Sequence, residues 1–140
     1  MTIHLLIADD HVLVCAALIE YLGMSPDIEV VGEAANGNEL LEKLHTIFAD
    51  MLLLDLIMPG LCGTELISRV RSSYPSLRIL VLSMHNETRV VLRALRAGAS
   101  ATSARTARHR PGWRLFVKSA QQANTSARQW PSRSRFYPVQ

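Results

Sequence analysis

The stretch MLLLDLIMPG, residues 51–60, carries the strongest structural signal in this chain. Residues 51–54 form an unbroken apolar run that ends at Asp55. A run of this kind indicates a strand that is buried on both faces, as in the centre of a parallel sheet. Pro59 and Gly60 then predict a tight loop that leaves Asp55 accessible. We therefore expect a carboxylate at the carboxyl end of a central strand.

The segments on both sides of this stretch alternate between short apolar runs and helical apolar spacing. Each helical segment has apolar residues at the spacing that places them on one face. The predicted strands are residues 3–8, 28–33, 51–55 and 78–83, and the predicted helices are residues 12–21, 38–48, 64–71 and 87–96. Four strand–helix repeats with short loops predict an α/β fold with a doubly wound parallel sheet.

Acidic and hydroxyl side chains occur where three of these strands end. Asp9 and Asp10 follow the first strand, Asp55 ends the third and Ser83 ends the fourth. Ligands of such sheets bind outside the carboxyl ends of the strands, so these side chains are expected to share one pocket. Three neighbouring carboxylates repel one another unless a cation joins them, and oxygen ligands favour Mg²⁺. A carboxylate beside that ion can attack an activated phosphorus and form an acyl phosphate.

Each of these residues also has a purely structural interpretation. A single Asp at a strand end is more often a helix cap than a ligand, and Asp10 is able to cap the first helix. His11 is interpreted as a residue that begins the helix rather than as a metal ligand. The coincidence of acids at two separate strand ends favours the site.

Composition restricts the class of protein. Of the 140 residues, 49% are hydrophobic and 19% are charged, which is typical of a soluble one-domain protein. No apolar run approaches the ~20 residues that span a bilayer, and the first residues do not resemble a signal peptide. Cys15 and Cys62 match no zinc-binding spacing. We therefore expect a cytoplasmic protein without disulfides or membrane association.

The charge distribution divides the chain near residue 100. Residues 1–100 hold 7 Lys or Arg against all 12 Asp or Glu, a net charge of −5. Residues 101–140 hold 8 Lys or Arg and no acid, a net charge of +8. This break indicates two differently selected segments, a folded domain over residues 1–100 and a basic, poorly ordered tail over residues 101–140.

Four motifs in order resemble the receiver domains of two-component response regulators. They are IADDH at residues 7–11, LLLDLIMPG at 52–60 followed by Gly63, LVLS at 80–83, and RALRAGAS at 93–100. ADDH and RAGAS are most similar to the branch that carries a C-terminal LuxR-type helix-turn-helix. The resemblance covers residues 1–100 and implies the flavodoxin-like (βα)5 receiver fold.

The resemblance also implies roles for individual residues. Asp55 is the phosphoacceptor, and Mg²⁺ binds to Asp10, Asp55 and the backbone carbonyl of Ile57, with Asp9 assisting through water. Ser83 contacts the phosphoryl group and reports its presence. The implied partner is a sensor histidine kinase, and a homodimer is compatible with the family. The implied function is a signalling switch with an output such as transcription regulation, not an enzyme.

The family pattern fails after residue 100. Arg105 stands at the position of the family's Lys, and Thr102 stands at the aromatic switch position. Arg keeps the positive charge, but its planar guanidinium does not replace a compact ammonium. Pro111 and Gly112 interrupt the segment where the fifth helix belongs. We therefore expect a degraded fifth strand and fifth helix.

A shift of reading frame is our hypothesis for this tail. One set of allowed codons for residues 101–107, read with one additional G in front, encodes Gly-Tyr-Ile-Cys-Lys-Asp-Ser. This reading restores an aromatic residue and places Lys at position 105. The alternative function is accordingly a truncated or frameshifted response regulator with impaired or no output. No helix-turn-helix pattern follows residue 100, so direct DNA binding is not expected.

Two further functions were weighed against the receiver interpretation. The eight cations of the tail, with aromatic residues able to stack on bases, are compatible with nucleic-acid binding, although scattered Arg without a helical face favours an out-of-frame peptide. The aromatic residues concerned are Trp113, Phe116, Trp130 and Tyr137. A metal-dependent phosphohydrolase with a nucleophilic Asp carries a second Asp two residues later, where this chain has Ile57.

Overall fold

The computed structural model describes residues 2–24, 26–83 and 88–104. These residues form a parallel sheet of five strands in the order β2-β1-β3-β4-β5. The strands are β1 Ile3–Ala8, β2 Ile28–Ala34, β3 Met51–Asp55, β4 Arg78–Ser83 and β5 Ala101–Ala104. The helices between them are α1 Val12–Gly23, α2 Gly37–Thr46, α3 Gly63–Ser73 and α4 Thr88–Ala97. No helix among the described residues is long and apolar enough to span a bilayer.

Two apolar layers, one on each face of the sheet, explain the unbroken apolar runs. Alternate residues of a strand point to opposite faces. In β1, Leu5 and Ile7 pack with α1, whereas Leu6 and Ala8 pack with residues of α2, α3 and α4. Every residue of β3 is buried for the same reason. The predicted doubly wound parallel fold is confirmed.

The end of α2 differs from the prediction. Helical spacing placed Ile47 on the apolar face of a helix over residues 38–48, but α2 ends at Thr46. Ile47 has extended backbone angles (φ −114°, ψ 126°), and its N–H closes the last turn by donating to the carbonyl of Lys43. Its side chain reaches the sheet beside Gly32. The apolar side chain of Ile47 therefore packs against the sheet and is not part of the apolar face of α2.

The fifth strand is a correction to the sequence analysis. Residues 101–104 were assigned to a poorly ordered tail, yet they pair in parallel with β4 from Leu80–Ala101 to Ser83–Ala104. Ser100 starts this pairing. Its backbone N–H donates to the carbonyl of Ile79 (2.8 Å), and its side-chain Oγ accepts from the N–H of Ile79 (3.1 Å). Strand pairing uses backbone groups, so it tolerates the atypical side chains.

The remaining predictions about the tail concern residues beyond 104. They include the degraded fifth helix, the missing helix-turn-helix and the role of Arg105. All of them lie outside the described residues.

Candidate functional site

Three carboxylates meet at the carboxyl ends of the adjacent strands β1 and β3. Asp9 and Asp10 directly follow β1, and Asp55 is the last residue of β3. Each of these residues, and also His11, offers one potential ligand atom. These four atoms all lie within 4.8 Å of one another. The structure brings the three acids together as the strand pattern predicts.

Burial makes this cluster electrostatically costly without a cation. The side chain of Asp9 is 1% exposed and that of Asp55 is 6% exposed, whereas that of Asp10 is 33% exposed. Two carboxylates withdrawn from water at short range repel each other. Positive charge in the cluster stabilises both. The site is thus suited to a cation that enters from the side of Asp10.

His11 belongs to the cluster, which the sequence analysis did not predict. Its Nδ1 lies 2.8 Å from Asp9 Oδ1, 3.1 Å from Asp10 Oδ1 and 3.6 Å from Asp55 Oδ2. His11, not Asp10, is the N-cap residue of α1, and its side chain makes no capping hydrogen bond. The available signal was its position in the same strand-end turn as two acids.

The loop after Asp55 is held close to the cluster by backbone contacts. The N–H of Ile57 donates to Asp55 Oδ1 (3.3 Å), and the Ile57 side chain is exposed. Gly60 and Gly63 have positive φ angles of 76° and 63°, which only glycine adopts without strain. These residues turn the chain away from β3 and into α3.

The first residue of α2 supports this loop from the other side. A Cβ built on Gly37 would overlap the carbonyl oxygen of Leu61. The backbone of α2 therefore lies in direct contact with the loop that follows Asp55. No residue larger than glycine fits at this position without moving that loop.

Ser83 and Arg105 complete the residues singled out from the sequence. Ser83 ends β4 next to β3, one residue beyond the Asp55–Leu82 pair. Its backbone therefore lies at the same edge of the sheet as the acids, while its side chain is outside the described part. Arg105 follows the last residue of β5 and is not among the described residues.

The donor set fits Mg²⁺. Carboxylate oxygens are the protein ligands that this ion prefers, and it usually keeps several waters when only one or two carboxylates bind it directly. The exposed side of the cluster, at Asp10 and His11, leaves room for those waters and for a phosphate oxygen. Asp55, for which the family resemblance implies the role of phosphoacceptor, lies in this cluster.

A second concave surface lies at the opposite edge of the sheet. It is a groove of about 960 Å³ whose lining includes His4, Phe48, Asp50 and Tyr74. Asp50 Oδ2 accepts hydrogen bonds there from the backbone N–H and the ring of His4, which joins β1 to the start of β3. The lining of the groove has a single Asp and no carboxylate cluster, so we place the candidate site at the other edge.

Comparison with known proteins identifies the domain. The family model of the response regulator receiver domain matches residues 5–104. The response regulator protein VraR of Staphylococcus aureus strain N315 is 40% identical over 98 residues, which cover 70% of this chain and 47% of VraR. The chain thus spans about half the length of the curated relatives that it matches.

Solved structures show the same likeness. The isolated REC domain of RcsB from Salmonella enterica serovar Typhimurium, determined with the phosphomimetic BeF3⁻, has a TM-score of 0.77 at 27% identity, covering 97% of this chain and 99% of that one. The signal receiver domain of the putative response regulator NarL from Mycobacterium tuberculosis has a TM-score of 0.75 at 30% identity, covering 91% and 98%. The resemblance inferred from the four motifs is confirmed, and this chain belongs to the response regulator receiver domain family.

Proposed function

We propose that this protein is a phosphoacceptor switch of a two-component system, in which Asp55 takes a phosphoryl group from a sensor histidine kinase. The observation that supports this most is the meeting of Asp9, Asp10 and Asp55 at one edge of the sheet, in a chain that matches the receiver family. Asp10, Asp55 and the carbonyl of Ile57 would hold Mg²⁺, with Asp9 acting through water.

The transfer itself needs only positioning and charge stabilisation. A carboxylate oxygen of Asp55 attacks the phosphorus, an O–P bond forms, and the N–P bond of the donor phosphohistidine breaks. The neutral imidazole that leaves keeps the electron pair of the broken bond. When bound, Mg²⁺ would supply positive charge that stabilises the phosphoryl oxygens. The Ser83 hydroxyl donates to the phosphoryl group, and Asp9 and Asp10 keep the site anionic until the cation enters.

The output of the switch is a further part of the proposal. RcsB, which is similar in structure (TM-score 0.79, 27% identity), has been determined bound to the promoter rprA. By that likeness we propose that phosphorylation in the cytoplasm changes self-association or another partner contact, and through it an output such as transcription. We propose accordingly that the domain acts as a switch rather than as a turnover enzyme.

The proposal is tested by phosphorylating the purified chain with acetyl phosphate and Mg²⁺ and separating the products on a phosphate-affinity gel. We expect a retarded band that requires both Mg²⁺ and Asp55, and that disappears in Asp55→Asn. The matched control is Asp27→Asn, because Asp27 is exposed and precedes β2 at the other edge of the sheet. The control variant is expected to be retarded like the natural chain.

Two results would contradict the proposal. One is the absence of a retarded band from a chain that circular dichroism shows to be folded. The other is a band that survives Asp55→Asn, which would place the phosphoryl group on a different residue.

A further inference from the structure

We propose that His11 is a built-in competitor of the metal ion: its ring nitrogen lies among the carboxylate oxygens of the proposed cation site and has to withdraw when the cation enters. This inference rests on the proposed Mg²⁺ site and goes beyond it. It concerns a residue that the motif assigns no role, and it predicts how tightly the site binds its ion.

The hydrogen on the His11 ring determines the type of contact. Ionised carboxylates only accept hydrogen bonds, so a ring nitrogen 2.8 Å from Asp9 Oδ1 carries a hydrogen and donates it. A nitrogen that carries a hydrogen has no lone pair for a metal. In this arrangement His11 Nδ1 is therefore a donor to the cluster and not a ligand.

The ring and the ion need the same space between the carboxylates. His11 Nδ1 lies within 3.1 Å of one oxygen of Asp9 and one of Asp10, and 3.6 Å from Asp55 Oδ2. Mg²⁺ binds oxygen at about 2.0–2.1 Å, in a geometry that tolerates little distortion. A ring N–H at these distances occupies space that an ion bound to Asp10 and Asp55 requires. Mg²⁺ also prefers oxygen ligands to imidazole, so we do not expect the ring to become a ligand of the ion.

The surroundings of His11 allow the ring to leave without unfolding α1. Its side chain is 55% exposed, and the next two residues, Val12 and Leu13, are 80% and 86% exposed. The backbone is held independently of the ring, because the His11 N–H donates to Asp9 Oδ1 (2.9 Å) and its carbonyl accepts from the N–H of Cys15 (3.0 Å). Rotation of the side chain alone therefore clears the site.

The test compares Mg²⁺ binding by the full chain and by His11→Ala, using isothermal titration calorimetry. Removal of a competing hydrogen bond to charged groups is expected to tighten Mg²⁺ binding roughly tenfold. His45→Ala is the matched control, since His45 contacts Tyr74 and lies far from the cluster, on α2. Its affinity is expected to equal that of the natural chain. His11→Asn, which retains a residue favoured at the N-cap, serves as a second variant if His11→Ala does not fold.

The ring itself provides a second readout. In a chain with ¹⁵N-labelled histidine, Mg²⁺ is expected to shift the Nδ1 resonance of His11 toward that of a solvent-exposed ring and to leave His45 unchanged. An unchanged His11 resonance at saturating Mg²⁺ would overturn the proposal.

The remaining outcomes separate this inference from the proposed function. Unchanged or weaker Mg²⁺ binding by the His11 variants, with Asp55 still phosphorylated, overturns the competitor role alone. Selective loss of Mn²⁺ binding in the variants would show that the ring is a ligand, which also overturns it. Absence of Mg²⁺ binding by the natural chain and all variants refutes both proposals.

Discussion

Glu39 shows how single residues begin the helix that supports the site. Asn36 Oδ1 accepts from the N–H of Glu39 (2.8 Å), and Glu39 Oε2 accepts from the N–H of Ala35 (3.2 Å). Lys43, one turn later, lies 3.1 Å from Glu39 Oε1. This arrangement is close to a capping box, in which two side chains satisfy free N–H groups at a helix start. It sets where α2 begins, and therefore where Gly37 meets the loop after Asp55.

The charge of Glu39 makes this cap dependent on pH. The N–H of Ala35, and then Lys43, hold the pKa of the Glu39 carboxyl below its ordinary value of 4.5. A lowered pKa in the folded state means that the stabilisation is present above pH 4.5 and is lost as pH falls through the folded-state value.

We therefore expect Glu39→Gln to lower the free energy of unfolding at pH 7 and to have a smaller effect at pH 3. Urea denaturation at the two pH values measures this. The neighbouring variant Glu42→Gln is the control, since Glu42 is exposed on the same helix. Equal effects of Glu39→Gln at both pH values would contradict the prediction.

At the scale of the elements, the approach of α2 to the loop after β3 places the start of a helix against the loop that follows Asp55, the proposed phosphoacceptor. The overlap of a Gly37 Cβ with the Leu61 carbonyl predicts that Gly37→Ala displaces this loop. We expect slower phosphorylation of Asp55 by acetyl phosphate, and a loss of stability of about 1–3 kcal/mol. Gly23→Ala is the control, because a Cβ there meets nothing within 4 Å. Equal phosphorylation rates in the two variants would contradict the proposed contact.

Arg71 joins α3 to the segment that leads into β5. Its Nε donates to the Gly98 carbonyl (2.9 Å), one terminal nitrogen donates to the Pro75 carbonyl (2.8 Å), and the other lies 3.3 Å from Ser100 Oγ. The left-handed backbone of Gly98 (φ 125°) allows this approach, since a Cβ there would lie 2.7 Å from Arg71 Cγ. A single side chain thus fixes where β5 begins.

We expect Arg71→Ala to destabilise the chain by about 2 kcal/mol, because four acceptors, the carbonyls of Tyr74, Pro75 and Gly98 and the hydroxyl of Ser100, lose a charged donor. It should also speed amide hydrogen exchange in β5 more than in β1. Arg69→Ala, an exposed Arg on the same helix, is expected to change neither. Uniform faster exchange across the sheet would show a global loss of stability instead of a local role.

For the whole molecule, stability depends on apolar residues buried between two layers. Leu6 of β1 is fully buried, so Leu6→Ala is expected to cost about 2–5 kcal/mol, a large fraction of the ~5–15 kcal/mol typical of a domain. Leu13 is 86% exposed, and Leu13→Ala is expected to change stability by less than about 0.5 kcal/mol. Urea denaturation of both variants measures the difference. Similar losses would contradict the observed burial.

Much of this architecture follows from local patterns in the sequence. The bounds of β3 and β4 were predicted residue for residue, since an apolar run bounded by charged or polar groups specifies a buried strand without reference to the rest of the chain. The meeting of Asp9, Asp10 and Asp55 followed in turn, because parallel strands place their carboxyl ends at one edge. Whether a segment is a helix or a strand, and which side chains follow the end of a strand, are properties of short segments. Sequence alone therefore determined both.

Three features were decided only by tertiary structure. Ile47 lies outside α2 and packs beside Gly32, and the ring of His11 lies in the acid cluster. Residues 101–104 form a strand although their residue types are atypical of the family. The position of Ile47 and the pairing of residues 101–104 depend on partners distant in sequence, Gly32 and β4, which leave no signature in the local residue pattern. The nearest partners of His11 are its sequence neighbours Asp9 and Asp10, but only the fold brings Asp55 to within 3.6 Å of its ring. The periodicity of apolar residues indicates which side chains are buried, whereas the tertiary structure determines which residues they pack against.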